Sequence, residues 1–130
     1  MTYKISFILF FFIACSYTKA QNQANIWHFG ENIGIDFNSG EPTLIPYVPH
    51  FSANTNASIS DSLGNFLFSS SGKKIWNRNG QVMLNGDGLI GHAAASQGAL
   101  ILQKPGSSHI YYVFNVTYYS TPIGMHYSVV

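Results

Sequence analysis

Five histidines, His28, His50, His92, His109 and His126, are the residues in this chain whose type most invites chemistry. A zinc site draws its ligands from His, Cys or carboxylate side chains, often with two histidines roughly three to five positions apart. No two of these histidines have that spacing, and no cysteine or carboxylate cluster accompanies them. They read as ordinary surface or partly buried side chains, and none is assigned to a metal.

Ser96, within Ala94-Ala95-Ser96-Gln97-Gly98, falls one residue short of the G-x-S-x-G nucleophile elbow. That motif needs a strand before the serine and a helix after it. Here a small-residue loop precedes and an apolar strand pattern follows, so Ser96 reads as a loop serine. The acids after residue 20 are Glu31, Asp36, Glu41, Asp61 and Asp87. Glycoside hydrolysis would need two of them facing each other at about 5–9 Å. Turn chemistry already accounts for each, and Asp61 is expected to cap its own turn in Asp61-Ser62-Leu63-Gly64-Asn65. Asp87 could ligate calcium, but such a loop needs more oxygen side chains than surround it. Trp27, Trp76, Tyr111, Tyr112, Tyr118 and Tyr119 could form a sugar-stacking surface, although aromatics at alternating strand positions more often fill a core. Asn56-Ala57-Ser58 and Asn115-Val116-Thr117 fit the N-glycosylation pattern. No catalytic, cofactor-binding or metal-ligating residue is assigned.

The elements around these residues are β-strands. The chain has 130 residues, a net charge of +1, 8% charged and 15% aromatic residues. That length allows one domain, and near-neutrality leaves no basic footprint for nucleic acid. Low charge with many aromatics and Gly/Asn/Ser turns favours a folded β-rich chain over disorder. At the N-terminus, Lys4 precedes the apolar run Ile5 to Ala14 and then Thr18-Lys19-Ala20, the pattern of a secretory signal peptide cut after Ala20. The run is shorter than the about 20 residues a membrane span takes. The only cysteine, Cys15, ends that run. It is either removed with the signal or acylated as a lipoprotein cysteine, and the Thr-x-Ala site is the cleaner of the two.

From Ala57 to Met83 the chain reads as an antiparallel meander. Asp61 to Asn65 is a turn, Phe66 to Phe68 a strand, Ser71-Gly72 a turn and Lys73 to Asn77 a strand. Asn79-Gly80 is expected to form a type I′ hairpin turn. Further strands are expected at Asn25 to Phe29, Ile33 to Phe37, Thr43 to Ile45, Ala99 to Gln103, Ile110 to Val116 and Met125 to Val130. Pro46 to Asn56 is the longest irregular connection. Asn85 to Gly88 reads as a turn, as does Lys104 to Ser108. Leu89 to Gly98 is open between a helical turn and a loop, with its glycines favouring the loop. About ten short strands, spaced roughly 8–12 residues apart, suit an all-β sandwich, barrel or propeller.

Three stretches together carry a family resemblance: ANIWHFGENIGIDFNSGEP (24–42), SISDSLGNFLFSSSGKKIWNRNGQVMLNGDGLIGH (58–92) and SQGALILQKPGSSHIYYVFNV (96–116). They resemble the N-terminal region of large secreted Bacteroidetes proteins that end in a gliding-motility-associated or type IX secretion sorting domain. The resemblance implies a β-propeller-like (WD40- or YVTN-like) domain, with residues 21–130 forming about its first two blades after a cleaved signal helix at 1–20. It implies further blades and a sorting domain beyond Val130, and it supplies no catalytic residues. Trp27, Phe29, Phe66, Phe68, Ile75, Trp76, Leu100, Leu102, Tyr112 and Phe114 are then the expected strand cores. The expected function is that of a secreted or cell-surface, non-catalytic scaffold or binding module. Its partner is a glycan or another surface protein, with no nucleic acid, no cofactor and no stable membrane span in the mature chain. The alternative is a fragment of a secreted polysaccharide-acting hydrolase or lyase.

Overall fold

The computed structural model of the protein describes residues 21–117 and 124–130. The signal-peptide reading of residues 1–20, Cys15 with it, lies outside the described residues, as do Tyr118 and Tyr119. After a 3₁₀ turn at Asn22–Ala24, the described residues form ten strands arranged as three antiparallel sheets, none of them closed. The first sheet is the meander β1 (Ile26–Phe29), β2 (Ile33–Asp36) and β3 (Thr43–Ile45). The second is β4 (Ala57–Ser60), β5 (Phe66–Ser70), β6 (Lys74–Asn77) and β7 (Val82–Asp87). The third is β8 (Ala99–Gln103), β9 (Tyr111–Val116) and β10 (Met125–Val129). β1 lies beside β4, and β4 beside β8, so the opening strands of the three sheets are neighbours. No helix among the described residues is long and apolar enough to cross a membrane.

Local chemistry explains the turns. Asp61 Oδ1 accepts from the Leu63 and Asn65 amides at 2.8 and 2.9 Å, capping its own turn as expected. The β6–β7 turn repeats the device: Asn77 Oδ1 accepts from the Asn79 and Gln81 amides at 2.9 and 3.0 Å. In both, a glycine three residues on (Gly64, Gly80) has positive φ, and its amide closes the turn on the carbonyl of the Asp or Asn. The Asn79-Gly80 turn is therefore not type I′, which would need positive φ at both positions. Gly80 alone has it (75°), as the bulge residue that ends a three-residue loop. The capping Asn77 side chain holds Asn79 out of the left-handed region. The expected turn at Asn85 to Gly88 is corrected too. β7 runs on to Asp87, and Asn85 (φ 58°) sits in it as an irregularity where the pairing with β6 shifts register. Leu89 to Gly98 is a loop of consecutive turns, closed by Ala95 N to His92 O and Gly98 N to Ala95 O, each 3.2 Å.

The sheets stack in order, with the second in the middle, and strand alternation gives it two unlike faces. Ala57, Ile59, Phe68 and Ile75 point toward the third sheet, where Ile101, Tyr111 and Val113 complete an aliphatic and aromatic core. Phe68 and Tyr111 meet edge to face at 5.4 Å. Ser58, Ser69 and Trp76 occupy the other face, toward the first sheet. The expected core is right for Phe68 and Ile75, only half-buried at Phe29, Phe66 and Trp76, and inverted for Trp27, Leu100, Leu102, Tyr112 and Phe114. Leu100 and Leu102 of β8 are 53% and 48% exposed, Trp27 of β1 is 49% exposed, and the buried positions are their neighbours Ile26 and Ile101. On β9 likewise, Tyr111 and Val113 go inside while Tyr112 and Phe114 take the outer face. Both faces of these strands are apolar, so alternation alone did not say which would be covered. Truncation separates the two. We expect Val113→Ala to destabilise the protein by about 2 kcal/mol and Leu100→Ala by about 0.5 kcal/mol or less, measured by urea denaturation; equal losses would contradict this face assignment.

Candidate functional site

The candidate site lies between the first and second sheets, where the buried face is polar and aromatic rather than aliphatic. β1 turns His28 inward, directly opposite Gly34 on β2. A Cβ at Gly34 would stand 3.1 Å from His28 Cδ2, so the glycine is what lets the imidazole lie against the strand. His50 arrives from the irregular connection that leads out of the first sheet. Its Nε2 meets Asn56 Oδ1 at 2.8 Å, and its Nδ1 meets Ser69 Oγ at 3.1 Å. An amide oxygen only accepts, so Nε2 carries the proton and Ser69 donates its hydroxyl proton to Nδ1. The two imidazoles sit 6.1 Å apart, with Phe66 4.2 Å from His28 and Trp76 5.0 Å from His50 between ring centres.

This corrects the reading of these two histidines as surface or partly buried side chains. His28 is 7% exposed and His50 is 1% exposed. Burial lowers the pKa of His28 to about 4, with the neighbouring His50 charge acting the same way. Burial lowers that of His50 also, partly offset by its hydrogen bond to Asn56. Both rings are neutral near pH 7. No signal in the sequence brings positions 28 and 50 together, because the contact depends on how the connection folds back. The other described histidines lie elsewhere: His92 Nδ1 accepts from the Ala94 amide at 3.1 Å, His109 Nδ1 meets Ser108 Oγ at 3.3 Å, and His126 sits on β10 opposite Asn115.

Ser69, His50 and Asn56 have the connectivity of a nucleophile, a base and an orienting group. They do not have its accessibility. Ser69 has no exposed surface, His50 is a weakened base, and an amide stands where a carboxylate would stabilise an imidazolium. The trio fastens the connection before β4 to β5 of the second sheet. Above it opens a cavity of about 230 Å³ whose lining includes His28, Tyr47, Phe66, Trp76 and Arg78.

The remaining sequence candidates are dispersed. Ser96 is exposed in the loop before β8. Asp36 Oδ1 accepts from the Asn38 amide at 2.7 Å. Asp87 faces Lys74 at 3.1 Å and accepts from the Gly88 amide at 2.8 Å, contacts that hold its carboxyl below the usual range. Glu31 bridges to Phe51, and Glu41 is exposed in the β2–β3 loop. Among the described residues, no three His, Cys, Asp or Glu side chains converge as a metal site. The proposed sugar-stacking aromatics do not form one surface: Trp27 stacks on Phe37 outside the first sheet, Trp76 is in the cleft, Tyr111 is in the core, and Tyr112 is on the outer face of the third sheet. Of the two glycosylation patterns, Asn115 is buried and Asn56 is engaged by His50. Comparison with protein-family models, with curated proteins and with solved structures found no match.

The depressed histidine pKa values predict acid sensitivity. The unfolded chain takes up protons at about pH 6.5 while folded His28 resists until about pH 4. Stability is therefore full above pH 6.5 and falls as the pH drops through that window, by about 3 kcal/mol for His28 alone. His50 adds loss in the same direction. Melting temperatures from pH 7.5 to 3.5 should show this decline, with a shallower slope in His28→Leu; an unchanged slope would remove the assignment.

Proposed function

We propose that this chain is the N-terminal part of an exported, non-catalytic scaffold or binding module of the secreted or cell-surface kind, built as a larger propeller. The observation that carries the reading is the apolar outer face of the third sheet. Leu100, Phe114 and Tyr127 form one row across its strands, and Leu102, Tyr112 and Val129 the next. Tyr127 is 63% exposed and packs at 5.8 and 6.0 Å against Tyr112 and Phe114. A contiguous face of this kind marks a surface meant for covering. Neighbouring opening strands in a stack of meandering sheets support the propeller form, in which another sheet would take that place.

The chemistry of the cleft supports binding over turnover, with a glycan or another surface protein as partner. Asp36 and Asp61 are held in their own turns and Asp87 by Lys74 and the Gly88 amide, and the cleft lining contains no carboxylate to act on a glycosidic bond. Export rests on the signal pattern of residues 1–20.

Reading the genomic frame past Val130 and comparing the two products tests this proposal. A continuing frame with more blades is expected. The 21–130 product should then bind a hydrophobic dye strongly and self-associate, the longer product should do neither, and neither should release sugar from a polysaccharide panel. A stop after Val130 with a soluble, monomeric, dye-silent product would overturn the propeller reading, and released sugar would overturn the non-catalytic one.

A further inference from the structure

We infer that the cleft between the first and second sheets is a subsite for one pyranose ring bearing a carboxylate, the repeating unit of an acidic glycan. The inference rests on the binding-module reading and names its ligand class.

Size comes first. A cavity of about 230 Å³ is smaller than the roughly 300–1,000 Å³ of sites that enclose drug-sized ligands. It exceeds the about 150 Å³ that suffices for a benzene ring. One substituted six-membered ring fits between these limits. The walls are also fixed before any ligand arrives. Pro49 packs where a side chain on Gly80 would be, which ties the connection to the tip of the β6–β7 hairpin. His50 holds Trp76, and His28 holds Phe66, through the ring contacts given above. The wall of Pro49, Phe66 and Trp76 therefore needs little ordering on binding.

The lining is amphipathic in the way a pyranose is. Phe66, Trp76 and the 74% exposed Tyr47 offer aromatic faces to the C–H face of a sugar. Polar side chains stand beside them: Arg78 and Tyr47 both belong to the lining and both are exposed. A purely apolar ring would leave those groups unused. Arg78 makes no salt bridge among the described residues, and its charge acts on Asp61, which caps another turn. No acid lines the cavity. An unpaired guanidinium beside an aromatic wall selects a planar anion, and a carboxylate accepts its paired N–H donors in a bidentate arrangement.

The test is titration of the protein with galacturonate and glucuronate oligomers and with their neutral galactose and glucose counterparts, followed by tryptophan fluorescence and calorimetry. Acidic oligomers should bind about tenfold or more tighter than neutral ones, a preference that shrinks in high salt. Arg78→Gln should abolish the preference, and Tyr47→Ala should weaken both ligand sets several-fold. Both side chains are exposed, so melting temperatures should stay within about 2 °C. Equal binding of acidic and neutral oligomers, or a preference that survives Arg78→Gln, overturns the subsite. If glycans bind but neither variant matters, the subsite fails while the binding-module reading stands. If no glycan binds the folded protein, the subsite fails, and the module's partner must be sought among proteins.

Discussion

Where one sheet meets the next, short hydroxyl side chains reach across to backbone groups of the neighbouring segment. Ser58 Oγ donates to the Ile26 carbonyl at 2.7 Å and accepts from the His28 amide at 3.4 Å, joining β4 to β1 without a ladder. Thr55, with no exposed surface, reaches the His92 and Ala95 carbonyls at 2.7 and 2.5 Å, and Ser52 reaches that of Ala93 at 3.0 Å. The His92, Ala93 and Ala95 carbonyls also accept backbone amides, so Thr55 and Ser52 add a second bond to carbonyls already paired, each hydroxyl donating its one proton to one carbonyl at a time. Alongside the apolar core, these bonds fix β4 to β1 and the connection before β4 to the loop before β8.

The central sheet separates two jobs by its two faces. Toward the third sheet it is aliphatic, and the interface is an ordinary core around the fully buried Val113. Toward the first sheet it presents serines and tryptophan, and the interface is a hydrogen-bonded joint with a cavity above it. Serine is too small to fill the space between sheets. Two imidazoles and the rings of Phe66 and Trp76 occupy the lower part, and the upper part stays open. The cleft is thus a consequence of placing small hydroxyl residues on one face of a strand.

The same substitution of polar for apolar contacts explains the titration behaviour. Imidazoles packed against aromatic rings lose water without gaining a counter-ion, so their neutral forms are favoured. A joint made this way is firm near neutrality and weak in acid.

Local chemistry in the sequence determined most of the strands and turns. Asp61 and Gly64 specify their turn within five residues, and Ala99 to Gln103 was legible as β8 from its apolar run alone. Even there, the capping side chain of Asn77 overrode the dipeptide rule for Asn79-Gly80. What the sequence could not decide was which face of an all-apolar strand turns inward, as Leu100 and Ile101 show, because both faces offer similar transfer energy. Nor could it place His28 beside His50. That contact is set by the backbone path from Pro46 to Asn56, which has no periodicity to read. Strands and turns follow from interactions a few residues long; the cleft and its histidines follow from packing between segments, and only the tertiary structure fixes that.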